Sequence, residues 1–137
     1  MATVTEDYVS FELSKLLKEK GFEIDTTKDY WKIGPDGTKY FMCSIGAYTS
    51  DIKNKYAYYR HADSYPCPTQ AVAMKWLRKV HNINIDIVPV WNQKRFEYQV
   101  FIVTPENAKH CYVDEKLYLG YEEAAETGIK YSLENLI

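Results

Sequence analysis

The chain has 137 residues, 46% of them hydrophobic and 26% charged, with a formal net charge of -2. That length suits one domain with a core of its own, and the balance excludes the disordered, fibrous and collagen-like classes. A net charge so close to zero excludes a global electrostatic pull toward nucleic acid or acidic lipid.

No apolar run approaches the ~20 residues that cross a bilayer. The opening Met1-Ala2-Thr3-Val4-Thr5-Glu6-Asp7 has neither the basic nor the apolar region of a signal peptide. Cys43, Cys67 and Cys111 are odd in number and widely spaced, which implies reduced thiols and a cytoplasmic setting. Charge is unevenly spread: residues 1–30 carry a net -3, residues 31–110 a net +5 and residues 111–137 a net -4. Thirteen tyrosines are the other unusual feature, and a rigid apolar ring with a polar tip suits half-buried sheet faces and interfaces alike.

In chain order, Val9, Leu13, Leu16 and Leu17 recur at helical spacing, predicting a helix from about Tyr8 to Lys20 with Thr5 or Asp7 as N-cap. Gly21-Phe22 reads as its left-handed C-cap followed by an apolar residue. Tyr30–Ile33 and Lys39–Cys43 flank Gly34-Pro35-Asp36-Gly37 and predict a hairpin, with a further strand over 55–60. A second helix opens near Pro68, capped by Cys67 or Thr69, with Ala73, Trp76, Leu77 and Val80 as its buried stripe. Asn82-Ile83 repeats the role of Gly21-Phe22. The alternation of Ile83 to Trp91, a turn at Asn92-Gln93-Lys94 and the run from Phe96 to Thr104 form a second hairpin. A short strand is read around Leu117-Tyr118-Leu119. The last helix runs from Tyr121 to the C-terminus with Ala125, Ile129, Leu133 and Leu136 as its core face, Glu126 placed to pair with Lys130, and Gly128 marking a close helix–sheet contact.

The fold class is therefore α+β: one domain over 1–137, an antiparallel sheet built from two hairpins plus extra strands, and three helices, in the order α-β-β-β-α-β-β-(β)-α. The two helix–hairpin units match at an offset of 61 residues through Leu13 and Met74, Leu16 and Leu77, Gly21 and Asn82, and Phe22 and Ile83, a candidate duplication. Residues 68–136 alone resemble a double-stranded-RNA-binding domain in element order. Glu122 and Glu123 stand where that family's last helix carries phosphate-gripping lysines, so its RNA chemistry is not carried over.

The stretch from Lys53 to Gln70 concentrates basic, aromatic and nucleophilic side chains beside a helix start, where function commonly resides. Its candidate binding residues are Tyr56, Tyr58, Tyr59, Arg60, His61, Asp63, Tyr65 and Cys67. Lys53, Lys55 and Arg60 interleave with Tyr56, Tyr58 and Tyr59 as a single-stranded nucleic-acid surface would require. A thiol at a helix N-terminus gains thiolate character, so Cys67 with His61, His110 or Asp63 is the enzymatic alternative. His61, Cys67, His110 and Cys111 are zinc-type ligands without zinc spacing, and no metal or cofactor is expected. No phosphate-cradling Gly-rich loop, H-E-x-x-H or G-x-S-x-G is present.

His61-Ala62-Asp63-Ser64-Tyr65-Pro66-Cys67-Pro68-Thr69-Gln70, the run Ala73-Met74-Lys75-Trp76-Leu77-Arg78 and the ending from Tyr121 to Ile137 resemble a family of small proteins of gut Bacteroides and their phages or prophages. The resemblance covers about the second half of the chain. It implies a cytoplasmic accessory protein of mobile-element origin and brings no activity to transfer. The expectation is a non-catalytic interaction module with a tyrosine-rich basic surface, whose partner is another protein or a second copy. Nucleic acid ranks behind both, and no membrane partner is expected.

Overall fold

A computed structural model describes residues 6–24, 26, 28–33, 39–44, 64–114 and 116–137. The predicted Pro-Asp-Gly turn and the strand over 55–60 lie outside those residues. Among the described residues there are three helices and six strands in two antiparallel three-stranded sheets, an α+β architecture. The chain divides into two compact units, Ser10–Pro68 and the pair of segments Met1–Val9 and Thr69–Ile137.

The Ser10–Pro68 unit opens with α1 (Phe11–Glu19). Ser10, not Thr5 or Asp7, caps it, its side chain accepting from Leu13 N at 3.2 Å. A serine in extended conformation one residue before the helix satisfies a backbone donor that the helix itself cannot. The other end closes as the spacing predicts: Gly21 has φ +90°, its N–H donates to Lys18 O, and the Phe22 N–H donates to Leu17 O. Those two bonds define a Schellman cap, with buried Phe22 and Leu17 at its apolar contact positions. β1 (Lys28–Ile33) lies between β2 (Lys39–Ser44) and β3 (Ser64–Pro66), so the first predicted hairpin is present. Tyr30 pairs across with Tyr65, and the Phe11 ring meets both edge-on at 5.6 and 5.4 Å. The buried Ser14 hydroxyl donates to the Pro66 carbonyl and ties α1 to β3.

The other unit holds α2 (Gln70–His81), β4 (Ile83–Val90), β5 (Arg95–Val103), β6 (Ala108–Val113) and α3 (Tyr121–Asn135). Thr69 caps α2 by accepting from Val72 N at 3.2 Å, so Pro68 precedes the cap rather than opening the helix. Ala73, Trp76 and Leu77 are buried as the stripe predicts, whereas Val80 is exposed. Asn82 adopts the left-handed conformation at φ 58° and turns the chain directly into β4, with Ile83 buried. β5 is central, pairing with β4 through Ile85–Val100 and Ile87–Tyr98, and with β6 across a bulge between Val100 and Phe101. Both α2 and α3 pack against β4, and α3 also against β5.

β6 carries no alternating pattern to announce it, since Ala108, Lys109 and His110 are all exposed. The predicted strand at Leu117–Leu119 reduces to one bridge, Tyr118 with Phe96, closed by two 2.8 Å hydrogen bonds. Gly128 meets the sheet as expected: a Cβ there would lie 2.9 Å from Ile85 Cγ2 and 3.2 Å from Tyr98 Cγ. Lys130 forms an ion pair with Glu134 at 3.8 Å, and the Glu126 carboxylate accepts from Gln70 Nε2 at 3.5 Å. The duplication is not reflected in strand order. Among the described strands the first hairpin's leading strand is central, while the second's is at an edge.

Candidate functional site

Of the residues singled out between Lys53 and Gln70, Tyr56, Tyr58, Tyr59, Arg60, His61 and Asp63 lie outside the described residues. Tyr65 is half-buried in β3 with Lys18 Nζ 4.7 Å over its ring, and the same ammonium donates to Ser64 O at 2.8 Å. The lysine thus occupies the ring face that a stacking base would use. Cys67 is fully enclosed, two residues before the Thr69 cap, with its backbone N–H donating to Lys28 O at 3.0 Å. Its thiol is a core group, because a small polarizable side chain fills that space without needing a strong partner. It is neither exposed for binding nor at the helix start, which corrects both expectations for Cys67. His110 is exposed on β6, its ring 4.8 Å from Phe101, and Cys111 is half-buried beside it. Among the described residues no group of three His, Cys, Asp or Glu side chains is placed to hold a metal.

Much of the tyrosine surplus is spent inside the second unit. Tyr112 of β6 and Tyr131 of α3 stack at 4.2 Å with a 16° interplanar angle. Tyr98 lies 5.8 Å from Tyr112, 6.1 Å from Tyr118 and 6.3 Å from Tyr131. Asp114 serves this cluster, its Oδ2 accepting from the Tyr118 hydroxyl at 2.5 Å and its Oδ1 from Lys116 N at 2.9 Å. Burial, with the Asp114 charge next in weight, pushes the Tyr98 phenol far above its usual range. Burial and then the hydrogen bond to Asp114 push Tyr118 up to about 12. Both phenols are neutral donors built into the packing.

One end of the same unit is different. β4 and β5 are joined by a 3₁₀ turn over Trp91–Gln93, closed by left-handed Lys94 at φ 52° whose N–H reaches Trp91 O at 3.4 Å. Trp91 stands 86% exposed on that turn. The Phe96–Tyr118 bridge lays the segment before α3 alongside the start of β5, and there Leu119 is 70% and Tyr121 45% exposed. Phe96 holds Tyr121 edge-on at 6.2 Å. Trp91, Leu119 and Tyr121 are large apolar side chains that the fold fixes at one end without burying them. None of Lys94, Arg95, Glu122 and Glu123 makes an ion pair among the described residues, and Arg95 Nη1 donates to Lys94 O at 3.2 Å. Sequence reasoning took Trp91 for the end of a strand. The signal was the polar Asn92-Gln93-Lys94 beside it, which leaves a tryptophan at a turn rather than in a pleat.

Two clefts lie on the surface of this unit among the described residues. One, of about 180 Å³, lies at the start of α2 among Glu6, Asp7, Gln70, Met74 and Tyr121. The other, of about 200 Å³, lies at its end among Arg78, Asn82, Asn84 and Val103. Both fall short of the ~300 Å³ at which cofactor and substrate pockets begin. Gln70, buried at the first, is already committed, donating to Glu122 O at 2.9 Å. Comparisons of the chain with protein-family models, with curated proteins and with solved structures find no match.

Proposed function

We propose that this chain is an interaction module that works by docking another macromolecule against the end of the second unit formed by Trp91, Leu119 and Tyr121. The observation that carries the reading is Trp91, 86% exposed on a turn whose backbone is held by its own hydrogen bond and by two paired strands. An exposed indole leaves a large apolar area in water, and rigid aromatics at fixed positions are the usual anchors of interfaces. The tyrosine-rich basic stretch that leads into β3 is a second contact region in this reading. The thiol-enzyme alternative would require Cys67 to open to solvent, against its complete burial. Among the described residues no helix is long and apolar enough to cross a membrane. In this reading the chain acts in the cytoplasm, where Cys67 and Cys111 stay out of disulfides.

The test is native co-purification of the tagged chain from the cells that make it, wild type against a Trp91→Ala, Leu119→Ser variant with unchanged circular dichroism. Loss of the bound species in the variant is the expected result. A variant that keeps every interaction of the wild type would refute the reading.

A further inference from the structure

We infer that the solvent face of α2 is a second binding surface, one that takes the phosphate backbone of double-helical nucleic acid. It does not depend on the docking role of Trp91. The exposed side chains of α2 are Ala71, Val72, Lys75, Arg78, Lys79 and Val80. Lys75 stands three residues from Arg78 and four from Lys79, so the three cations are neighbours on one side of the helix. None of them makes an ion pair among the described residues. Like charges at that spacing repel, so the helix carries them at a cost.

The other two described helices are built differently. α1 mixes Glu12 and Glu19 with Lys15 and Lys18, and α3 sets Lys130 among four glutamates. α2 has no acid anywhere between Gln70 and His81. The helix dipole accounts for cations in a last turn, where Arg78, Lys79 and His81 lie. It accounts neither for Lys75 in mid-helix nor for a first turn without an acid, where α1 has Glu12 and α3 has Glu122 and Glu123. The face also continues past the helix end. The cleft of about 200 Å³ there has Arg78, Asn82 and Asn84 as its polar lining and no carboxylate. Asp86, whose Oδ1 accepts from Asn84 Nδ2 at 2.7 Å, is not part of that lining. Small for a cofactor, the cleft has room for one phosphate group whose chain lies outside it, with a guanidinium to pair with it.

The composition of the face narrows its occupant. Three unpaired cations about one turn apart suit a polyanion of closely repeated charge. Single strands are held by stacking their bases on exposed aromatic rings, and α2 exposes none. A duplex keeps its bases stacked inside and presents backbone. An acidic protein segment would be anchored by a large buried contact, whereas the exposed apolar side chains of α2 are alanine and valine. A chain of net charge -2 has no general pull on polyanions, so binding depends on this face.

The test is fluorescence anisotropy of the whole chain with short labelled duplexes of random sequence, one of DNA and one of RNA. Three phosphate contacts predict a slope of about -2.7 in log affinity against log salt, a loss of about 40-fold between about 50 and 200 mM. Lys75→Gln, Arg78→Gln and Lys79→Gln combined should weaken binding at least about tenfold and bring the slope close to zero. Circular dichroism checks the fold of that variant. Lys75→Arg with Lys79→Arg keeps every charge and should retain binding, which separates lost charge from lost structure. Four results would each overturn the inference. They are binding of neither duplex at low salt, a slope that survives in the triple variant, a single-stranded oligonucleotide held more tightly than its duplex, and polyglutamate that competes as well as unlabelled duplex. The last would put an acidic protein on the face instead.

Discussion

Tyr98 and Tyr118 are enclosed while Tyr112 and Tyr131 are half-buried, so this cluster is core with a stacked margin. Its chemistry makes stability sensitive to alkali. The Tyr118 pKa is raised in the folded state from 10.0 to about 12, and Tyr98 moves in the same direction. A neutral group with a raised pKa contributes stability that is complete below the unfolded value and is lost as pH climbs through the folded one. Urea unfolding should therefore show little tyrosine-linked change between neutral pH and 10, then a steady loss toward 12, with tyrosinate absorbance lagging in the native protein. A native protein whose tyrosines all titrate near 10 would contradict this. Tyr118→Phe should flatten the alkaline slope and cost about 1–2 kcal/mol at neutral pH, since Asp114 Oδ2 loses its donor. Thiol labelling under native conditions should modify Cys111 and spare Cys67 until the chain unfolds. The sequence could not distinguish these two cysteines. Burial of Cys67 depends on the Pro66 and Pro68 neighbourhood being closed by chain remote in sequence, which no local pattern encodes.

At the scale of elements, the helices were readable because each has an apolar stripe and a cap with its own chemistry. Leu13 and Leu17, Ala73 and Leu77, and Ile129 and Leu133 are all buried where periodicity puts them. Caps were harder: a serine, a threonine and an aspartate within a few residues compete for the same role, and only the extended backbone of Ser10 and Thr69 decides. β6 was hidden because its burial comes from cross-strand neighbours rather than from alternation. Gly128, by contrast, was legible as the one residue breaking a good helix pattern. Gly128→Ala should lose stability by about 1–3 kcal/mol through overpacking against Ile85 and Tyr98, more than the roughly 1 kcal/mol that alanine gains in a helix. A melting temperature equal to or above wild type would show that the sheet yields there. Ser14→Ala should cost about 1 kcal/mol by leaving the half-buried Pro66 carbonyl without its donor.

For the whole molecule, composition and element order were informative, whereas the division of the chain was not. Nothing in the linker composition marks a boundary at Val9 or at Pro68, because the units are separated by which residues pair and not by a change in residue type. The unit that carries Trp91 is discontinuous. Gln70 N donates to Asp7 O at 2.8 Å, and Tyr8 bridges Thr69. The sixty or so residues between those two positions form an excursion that leaves and returns at neighbouring backbone sites, a closure that costs roughly 3–4 kcal/mol in chain entropy. During synthesis the excursion emerges entire before Thr69 does. Residues 6–9 must therefore wait until Thr69 is made, and the unit with the docking end is completed after the Ser10–Pro68 unit. Docking at that end therefore has to wait until both units have been made.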